Sequence, residues 1–230
     1  MVLKFLGNGS GFSDEHTSAY FDTYNSELVI IDCSMLNVQK LKKATNLFCY
    51  DKFVVLVTHT HGDHCSGLGL WTQYVHFTLQ KEITIIAPSN KVKENIEYLL
   101  NKIEGCDSSW YTLITADEVY KPWFGAAILT EHSPQLAGKC FGYRLNIDGK
   151  NVIYTGDTST LRPFRPFLTQ GCELYVDVSV NYGIIHLKLE DVLNELVDYT
   201  QKGVKVYLMH LDDIIAAKEM VKDIPDITVV

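Results

Sequence analysis

Long apolar runs, closely paired cysteines and basic residues are missing or scarce in this sequence. No apolar segment approaches the roughly 20 residues that a membrane-spanning helix needs, so no membrane partner is expected. The six cysteines form no C-x-x-C pair, which predicts reduced thiols in a cytoplasmic protein. The 20 Lys and Arg are outnumbered by 28 Asp and Glu, and the formal charge of −8 argues against an extended nucleic-acid surface. A small anionic substrate stays compatible with this charge, because bound divalent cations can supply positive charge locally.

The length and composition predict one globular domain over residues 1–230. A chain of 230 residues that is 47% hydrophobic can bury a sizeable core. Strand-like and helical segments alternate along it, and we find no linker, repeat or low-complexity stretch. This alternation predicts an α/β fold with two sheets flanked by helices. The apolar stretch at residues 1–6 is too short for a secretory signal, which again favours the cytoplasm.

The most informative stretch covers residues 54–67, where an apolar strand breaks into a loop rich in histidine. His59 and His61 are two residues apart, so both rings can point to the same side of an extended loop. Asp63 and His64 are adjacent and can serve a second point in space. Scattered structural histidines are the alternative reading. Four ligand-type side chains within six residues instead favour the beginning of a site for two zinc-like ions.

Four more polar residues each follow an apolar, strand-like segment at its carboxyl end. They are His132, Asp157, Asp177 and His210. Parallel or mixed sheets gather such strand ends on one edge, where binding sites form. Any one of these residues could cap a neighbouring turn, but four in the same context predict a common site.

The segment His59-Thr60-His61-Gly62-Asp63-His64 resembles the H-x-H-x-D-H signature of the metallo-β-lactamase superfamily. The resemblance implies the four-layered αββα sandwich and two divalent metal ions, with zinc expected and manganese as the alternative. It implies a first ion on His59, His61, His132 and Asp157, and a second on Asp63, His64, Asp157 and His210. All seven positions carry the expected residue type. Two such ions acidify a water molecule and neutralise charge on the attacked group.

The segment over residues 177–190 resembles the ribonuclease Z-like branch of this superfamily, in which an acidic residue orients a histidine that is not a ligand. The resemblance implies catalytic roles for His186, Asp177 and the metal-binding Asp63. Asp177 stands where that branch usually has the longer Glu. The alternative for His186 is a structural position before a helix over residues 191–200. Asp32 is implied to support the metal loop, or else it caps a helix over residues 37–46.

The ribonuclease Z-like branch acts on phosphodiesters, and the spacing of two implied ligands limits the size of the substrate. His132 and Asp157 are 25 residues apart, which leaves room for one hairpin but not for the long arm that grips transfer RNA in ribonuclease Z. Residues 5–12 and 16–21 are similar to the anti-Pycsar family of phages and bacteria, which destroys cyclic-nucleotide signals. That resemblance implies hydrolysis of a small anionic substrate, a 3′,5′-cyclic nucleotide, to a nucleoside monophosphate. It also implies a homodimer, which would act in the host cytoplasm if the protein is viral.

Two other activities use the same metals: a ribonuclease Z-like RNA nuclease and a lactonase or β-lactamase-like acyl hydrolase. The acidic composition argues against RNA, and the pairing of His186 with Asp177 argues mildly against an acyl substrate. A flavo-diiron oxidoreductase would need more carboxylate ligands and a flavin domain, and a metal-free binding module would have lost ligands. The sequence therefore predicts a metal-dependent phosphodiesterase.

Overall fold

The computed structural model describes residues 1–230. The chain divides into two compact units. The first contains Met1–Gly7 and Glu15–Val119, and the second contains Asn8–Asp14 and Tyr120–Val230. Each unit is built on one six-stranded sheet. The single domain over residues 1–230 stays a prediction.

The sheet of the first unit follows the order of the chain, β1-β2-β3-β4-β5-β6. Strand β2 pairs antiparallel with both β1 and β3, and β3 to β6 run parallel. The strands are β1 (Lys4–Gly7), β2 (Ser18–Asp22), β3 (Glu27–Ile31), β4 (Lys52–Leu56), β5 (Glu82–Ala87) and β6 (Thr112–Thr115). The helices are α1 (Met35–Ala44), α2 (Gly62–Cys65), α3 (Leu68–Gln73) and α4 (Asn90–Tyr98), with π-helical turns at Tyr74–Leu79 and Leu99–Ile103. The carboxyl ends of β3 to β6 therefore share one edge of the sheet.

The central strands of this sheet are apolar on both faces. All five residues of β3 and the last four of β4 are buried, as expected for parallel strands covered on both sides. Helix α1 begins at Met35 rather than at the predicted residue 37, because Ser34 is its N-cap in a capping box with Asn37. Asp32 takes no part in that cap.

The sheet of the second unit has the order β12-β11-β10-β9-β8-β7. Strands β7, β8 and β9 are antiparallel in turn, and β9 to β12 are parallel. The strands are β7 (Phe124–Leu129), β8 (Phe141–Ile147), β9 (Lys150–Tyr154), β10 (Glu173–Asp177), β11 (Lys205–Met209) and β12 (Ile227–Val229), and the helices are α5 (Leu189–Gln201) and α6 (Ile214–Val221). Strands β7, β9, β10 and β11 consequently end at the same edge.

Helix α5 holds this unit together through one apolar stripe. Leu189, Val192, Leu196 and Tyr199 recur at helical spacing and are buried in a cluster that also includes residues of β10 and β11. Each fully buried apolar side chain of this size contributes about 1.5–3 kcal/mol. Leu196→Ala would therefore loosen the packing beneath the strands that carry the polar residues. None of the helices is both long enough and apolar enough to pass through a membrane.

Candidate metal-binding residues

In the first unit, the H-x-H-x-D-H segment begins in the turn after β4 and continues into α2, which contains Asp63 and His64. The two residues at its ends, His59 and His64, are buried, and their ring centroids lie 4.1 Å apart. His59 Nε2 lies 2.9 Å from His61 Nδ1, so these two ring nitrogens face each other at hydrogen-bond distance. Asp63 Oδ2 lies 3.1 Å from His64 Nε2. The segment thus presents two nitrogens together, and one nitrogen beside one carboxylate.

Asp32, the residue directly after β3, is hydrogen-bonded to the histidine loop. Its buried carboxylate accepts the Thr58 N–H and the Thr58 hydroxyl, each at 2.8 Å. Its Oδ2 also lies 2.8 Å from His64 Nδ1. Burial raises the pKa of Asp32, although the His64 ring and the Thr58 donors act in the opposite direction. The structure therefore places Asp32 as a support of the histidine loop.

These contacts determine which nitrogen of each ring keeps a lone pair. A carboxylate can only accept, so His64 Nδ1 carries the proton and Nε2 remains available to a metal. The Thr58 hydroxyl gives its proton to Asp32 and lies 3.0 Å from His59 Nδ1, so it accepts the proton of that ring as well. His59 Nε2 then carries no proton. One carboxylate thus fixes the tautomers of two histidines.

The backbone around Asp32 is unusual and tightly packed. Asp32 has φ 60°, in the left-handed region that L-residues other than Asn and Asp rarely adopt. The N–H of the following Cys33 donates to the His64 carbonyl at 2.7 Å, and the Cys33 carbonyl accepts the Gly67 N–H at 2.9 Å. A Cβ at Gly67 would lie 2.5 Å from the Ser34 carbonyl oxygen, so only glycine allows this approach.

In the second unit, the four strand-end residues lie on the shared edge of the sheet. His132 follows β7, Asp157 follows β9, Asp177 ends β10 and His210 follows β11. None of the four side chains is more than 3% exposed. The parallel register of β9, β10 and β11 explains the gathering that the sequence predicts.

Asp157 lies between two histidines and offers a different oxygen to each. Its Oδ2 lies 3.5 Å from His132 Nε2, and its Oδ1 lies 3.4 Å from His210 Nε2. Both distances exceed the N–H···O hydrogen bond of about 2.9 Å. In a tetrahedral zinc site with bonds of about 2.0–2.1 Å, neighbouring ligand atoms lie about 3.3–3.4 Å apart. The donor set and its spacing therefore fit divalent-metal ligands on both sides of Asp157.

The outer nitrogens of these two histidines also face acceptors. His132 Nδ1 lies 2.8 Å from the Ile185 carbonyl oxygen, which can only accept, so the Nε2 lone pair points towards Asp157. His210 Nδ1 lies 3.4 Å from Asp177 Oδ1. His210 has φ 59°, so its backbone, like that of Asp32, lies in the left-handed region. Ring orientation by such outer partners is usual for metal-binding histidines.

The His186 ring is hydrogen-bonded to Asp177, which is not one of the seven residues implied to be metal ligands. Its Nδ1 lies 2.7 Å from Asp177 Oδ2, which also accepts the Thr158 N–H at 2.8 Å. Asp177 therefore contacts His186 directly, although its side chain is shorter than the Glu that is usual in the ribonuclease Z-like branch. The His186 ring stacks on that of His210 with centroids 5.0 Å apart, and its side chain is 16% exposed. Helix α5 begins at Leu189 with Lys188 as its N-cap, so His186 does not cap it.

The surroundings of His186 shift its pKa in opposite directions. Burial lowers the pKa of His186, but the Asp177 and Asp157 carboxylates together raise it by more. The pKa of His186 therefore lies above its usual value. A ring that carries a proton beside a carboxylate is suited to donate that proton to a leaving oxygen.

Sequence reasoning missed two groups that orient these rings. The Ile185 carbonyl has no sequence signal, because every residue has a carbonyl and only the loop path brings this one to His132. Thr58 looks like an ordinary residue at a strand end. Its hydroxyl becomes informative only once Asp32 and His59 are known to lie on either side of it.

Comparison with known proteins identifies the family and the fold. The family model for the anti-Pycsar protein Apyc1 matches residues 1–226. The anti-Pycsar protein Apyc1 of Bacillus phage BSP38 is 23% identical over 234 aligned residues, covering 92% of this chain and 89% of the relative. The ribonuclease Z of Clostridium tetani is 25% identical over 160 residues, covering 64% of this chain and 51% of that protein.

A solved structure shows the same architecture. The metallo-β-lactamase fold protein YhfI from Bacillus subtilis matches with a TM-score of 0.77 at 16% identity, covering 99% of this chain and 95% of that chain. This match and the two mixed sheets confirm the predicted α/β class and the metallo-β-lactamase αββα fold. The prediction of a metal-dependent hydrolase is also confirmed. The chain is a metallohydrolase that belongs to the anti-Pycsar protein Apyc1 family.

Proposed function

We propose that this protein hydrolyses a small phosphodiester, a 3′,5′-cyclic nucleotide, to a nucleoside monophosphate and so counters cyclic-nucleotide immune signalling. The observation that carries the proposal is Asp157, whose two carboxylate oxygens face two different histidines at spacings suited to metal coordination. Membership of the anti-Pycsar family supports the substrate class. The Asp177–His186 pair supports a reaction that needs a proton donor for an alkoxide leaving group.

We propose that seven residues hold two divalent ions, with zinc expected and manganese as the alternative. The first ion would be bound by His59, His61, His132 and Asp157, and the second by Asp63, His64, Asp157 and His210. Five imidazoles and two carboxylates form the nitrogen-rich set that zinc prefers. When bound, the ions would supply an acidified water and positive charge against the phosphate.

The protein groups divide the remaining work. Asp32 and the Ile185 carbonyl keep protons on the outer ring nitrogens, so the inner nitrogens stay open to metal. Asp177 holds the Nδ1 proton of His186, which leaves Nε2 as the group that would protonate the departing 3′ oxygen. Asp63 belongs to the proposed catalytic set as well as to the ligands, because its carboxylate lies beside His64 Nε2.

The second unit supports a small substrate. The interval between His132 and Asp157 is filled by the β8–β9 hairpin, whose turn at Asp148 and Gly149 has positive φ at both residues. No segment there extends into an arm that could grip transfer RNA. The net charge of −8 also disfavours a long polyanion, whereas one phosphate needs only the local charge of bound ions.

The test is product formation from a panel of 3′,5′-cyclic nucleotides beside linear RNA, bis-(p-nitrophenyl) phosphate and a chromogenic lactam. Metal-loaded protein should convert cyclic nucleotides to monophosphates, and Asp157→Ala should lose this activity. Asp148→Asn is the matched control, because Asp148 is an exposed turn residue whose left-handed backbone asparagine also tolerates. Cleavage of RNA alone, or of the lactam alone, would replace the proposed substrate with one of the two alternatives.

We further propose that the protein acts as a homodimer in the host cytoplasm, as its family membership suggests. Light scattering of the purified chain should give twice the mass of 26.0 kDa. A monomer at working concentration would remove the dimer from the proposal and leave the phosphodiesterase assignment intact.

A further inference from the structure

A loop over residues 180–188 joins β10 to α5 and carries two of the groups discussed above. They are the His186 ring and the Ile185 carbonyl. The middle of this loop is not fixed by packing against a core, because Tyr182 is 72% exposed and Ile184 is 90% exposed. It has no helix or strand along most of its length. Something else must therefore fix its path if these two groups are to stay in place.

Asp212 anchors the start of the loop. Its Oδ1 accepts the Val180 N–H at 2.7 Å, and its Oδ2 accepts the Asn181 N–H and the Ser179 hydroxyl, each at 2.9 Å. The Ser179 oxygen in turn accepts the Tyr182 N–H at 2.8 Å. One carboxylate thus holds four consecutive residues, directly or through one hydroxyl. A carboxylate suits this task because it can accept several bonds and donates none.

Ser179 also connects the start of the loop to its far end through backbone hydrogen bonds. Its N–H donates to the Leu187 carbonyl at 2.8 Å, and its carbonyl accepts the Leu189 N–H at 2.8 Å. The Leu187 N–H donates to the Thr158 carbonyl at 2.9 Å. Both ends of the loop are therefore tied at Ser179, whose side chain is bound to Asp212.

Asp212 itself occupies a firm position. It lies two residues after His210, and the intervening Leu211 is paired through both its N–H and its carbonyl. The Leu211 N–H donates to the Asn8 carbonyl at 2.8 Å, and the Leu211 carbonyl accepts the Ser10 N–H at 2.9 Å. The strand end that places His210 therefore also places Asp212.

We propose that Asp212 is a positioning residue for the hydrolytic reaction. By holding the loop at its base, it keeps the His186 ring against Asp177 and the Ile185 carbonyl against His132. The inference rests on the function proposed above, since it assigns Asp212 a part in that reaction. The Asp212 side chain accepts hydrogen bonds from residues 179–181, none of which is a proposed metal ligand.

The neighbouring Asp213 offers a matched control. Its side chain accepts the Ala216 N–H at 2.9 Å and caps α6, so its task is structural. Asp212→Asn and Asp213→Asn remove the same charge one residue apart. The amide that Asp212→Asn introduces would keep one acceptor oxygen, but its NH₂ group would replace the other. That NH₂ group would face a hydrogen-bond donor and could not accept from it.

The experiment uses the full-length, metal-loaded protein and three readouts. They are steady-state kinetics, amide hydrogen exchange of residues 180–187, and the proton-nitrogen NMR signal of His186 Nδ1. Asp212→Asn should speed the exchange, weaken the Nδ1 signal, and lower kcat about 10- to 100-fold with KM changed by no more than about twofold. Asp213→Asn keeps the acceptor oxygen that caps α6, so it should leave the melting temperature close to that of wild type and kcat within about twofold. Ser179→Ala removes the hydroxyl that donates to Asp212 and accepts from Tyr182, but leaves the Val180 and Asn181 bonds to Asp212, so it should reproduce the Asp212→Asn effect in weaker form.

Two results would overturn the inference. One is an unchanged His186 signal together with unchanged loop exchange in Asp212→Asn. The other is an equal fall in kcat for both Asp variants, which would mean a general loss of structure. If Asp212→Asn does not fold, Ser179→Ala decides by the same criteria. The hydrogen-exchange and NMR measurements need no substrate, so they test the role of Asp212 in holding the loop independently of activity. Inactivity of the wild-type protein on every phosphodiester would instead refute the proposed function.

Discussion

Replacing Asp32 with Asn tests whether one buried carboxylate controls two histidine tautomers. The exchange keeps the shape of the side chain and substitutes NH₂ for one oxygen. If the NH₂ group replaces Oδ2, it faces His64 Nδ1, which must then give up its proton to act as an acceptor. The proton moves to Nε2, the nitrogen that a metal requires bare. If the amide turns the other way, its NH₂ group meets the Thr58 N–H instead.

The structure sets the scale of the effect. Asp32 receives three contacts, all of 2.8 Å, in a fully buried position. One mismatched donor pair costs about 1–3 kcal/mol in such surroundings. Loss of an outer partner of a metal-binding histidine typically costs about 10- to 100-fold in metal affinity. The expected loss for the ion proposed at His64 is therefore about 1.4–2.8 kcal/mol.

The assay is competition between the apo-protein and a chromogenic chelator, with metal content measured on the same samples. Nitrogen-15 NMR of the imidazole rings reports the tautomer of His64 independently. Asp22→Asn, at a carboxylate remote along the chain from the histidine loop, is the control for loss of charge. Asp32→Asn with wild-type affinity for two ions and an unchanged Nδ1–H tautomer at His64 would refute the reasoning.

Three further outcomes follow from named contacts. His186→Asn should lower kcat about 100-fold or more while metal content stays unchanged, as measured by steady-state kinetics and metal analysis. Burial raises the pKa of Asp22, but hydrogen bonds led by the one from Lys4 lower it by more, so it lies below the usual value. Its stabilising contribution is therefore present above the unfolded pKa and lost as pH falls through the folded pKa. Asp22→Asn should lower the melting temperature near neutral pH and make no difference in strong acid. Cys49 is the one exposed cysteine, whereas burial raises the pKa of the Cys65 thiol to about 12, so a thiol reagent should modify one group rapidly in the folded protein and six after denaturation.

The sequence was most informative where chemistry and strand ends coincide. The H-x-H-x-D-H loop and the four residues at strand ends needed only the rule that parallel strands finish on a common edge. The β2–β3 hairpin and the turn at residues 148–149 followed from alternating apolar segments around turn residues. Asp157 could be placed near a site from its position after β9, and the family resemblance implied that two ions share it, but which oxygen faces which histidine needed the structure.

Other features depend on three-dimensional paths that a linear pattern does not contain. Strand β12 has only three residues and pairs in parallel with β11 across the intervening α6, so no local signal marks it. The start of α1 shifted by two residues because Ser34 caps this helix, where the sequence offered Asp32 as a candidate. The role of Asp212 is visible only once the loop after β10 folds back over it.

The backbone at Asp32 and His210 has a consequence for engineering this protein. Both residues adopt positive φ, of 60° and 59°, which costs about 1–3 kcal/mol each in a residue other than glycine. A stabilisation campaign that scores conformational preference alone would rank His210→Gly and Asp32→Gly among its improvements. Both replacements would remove side chains that the proposed reaction needs: the imidazole of His210 as a metal ligand, and the carboxylate of Asp32 as the partner of His64. Thermal stability and turnover are therefore expected to diverge at these two positions, and a library should hold them constant.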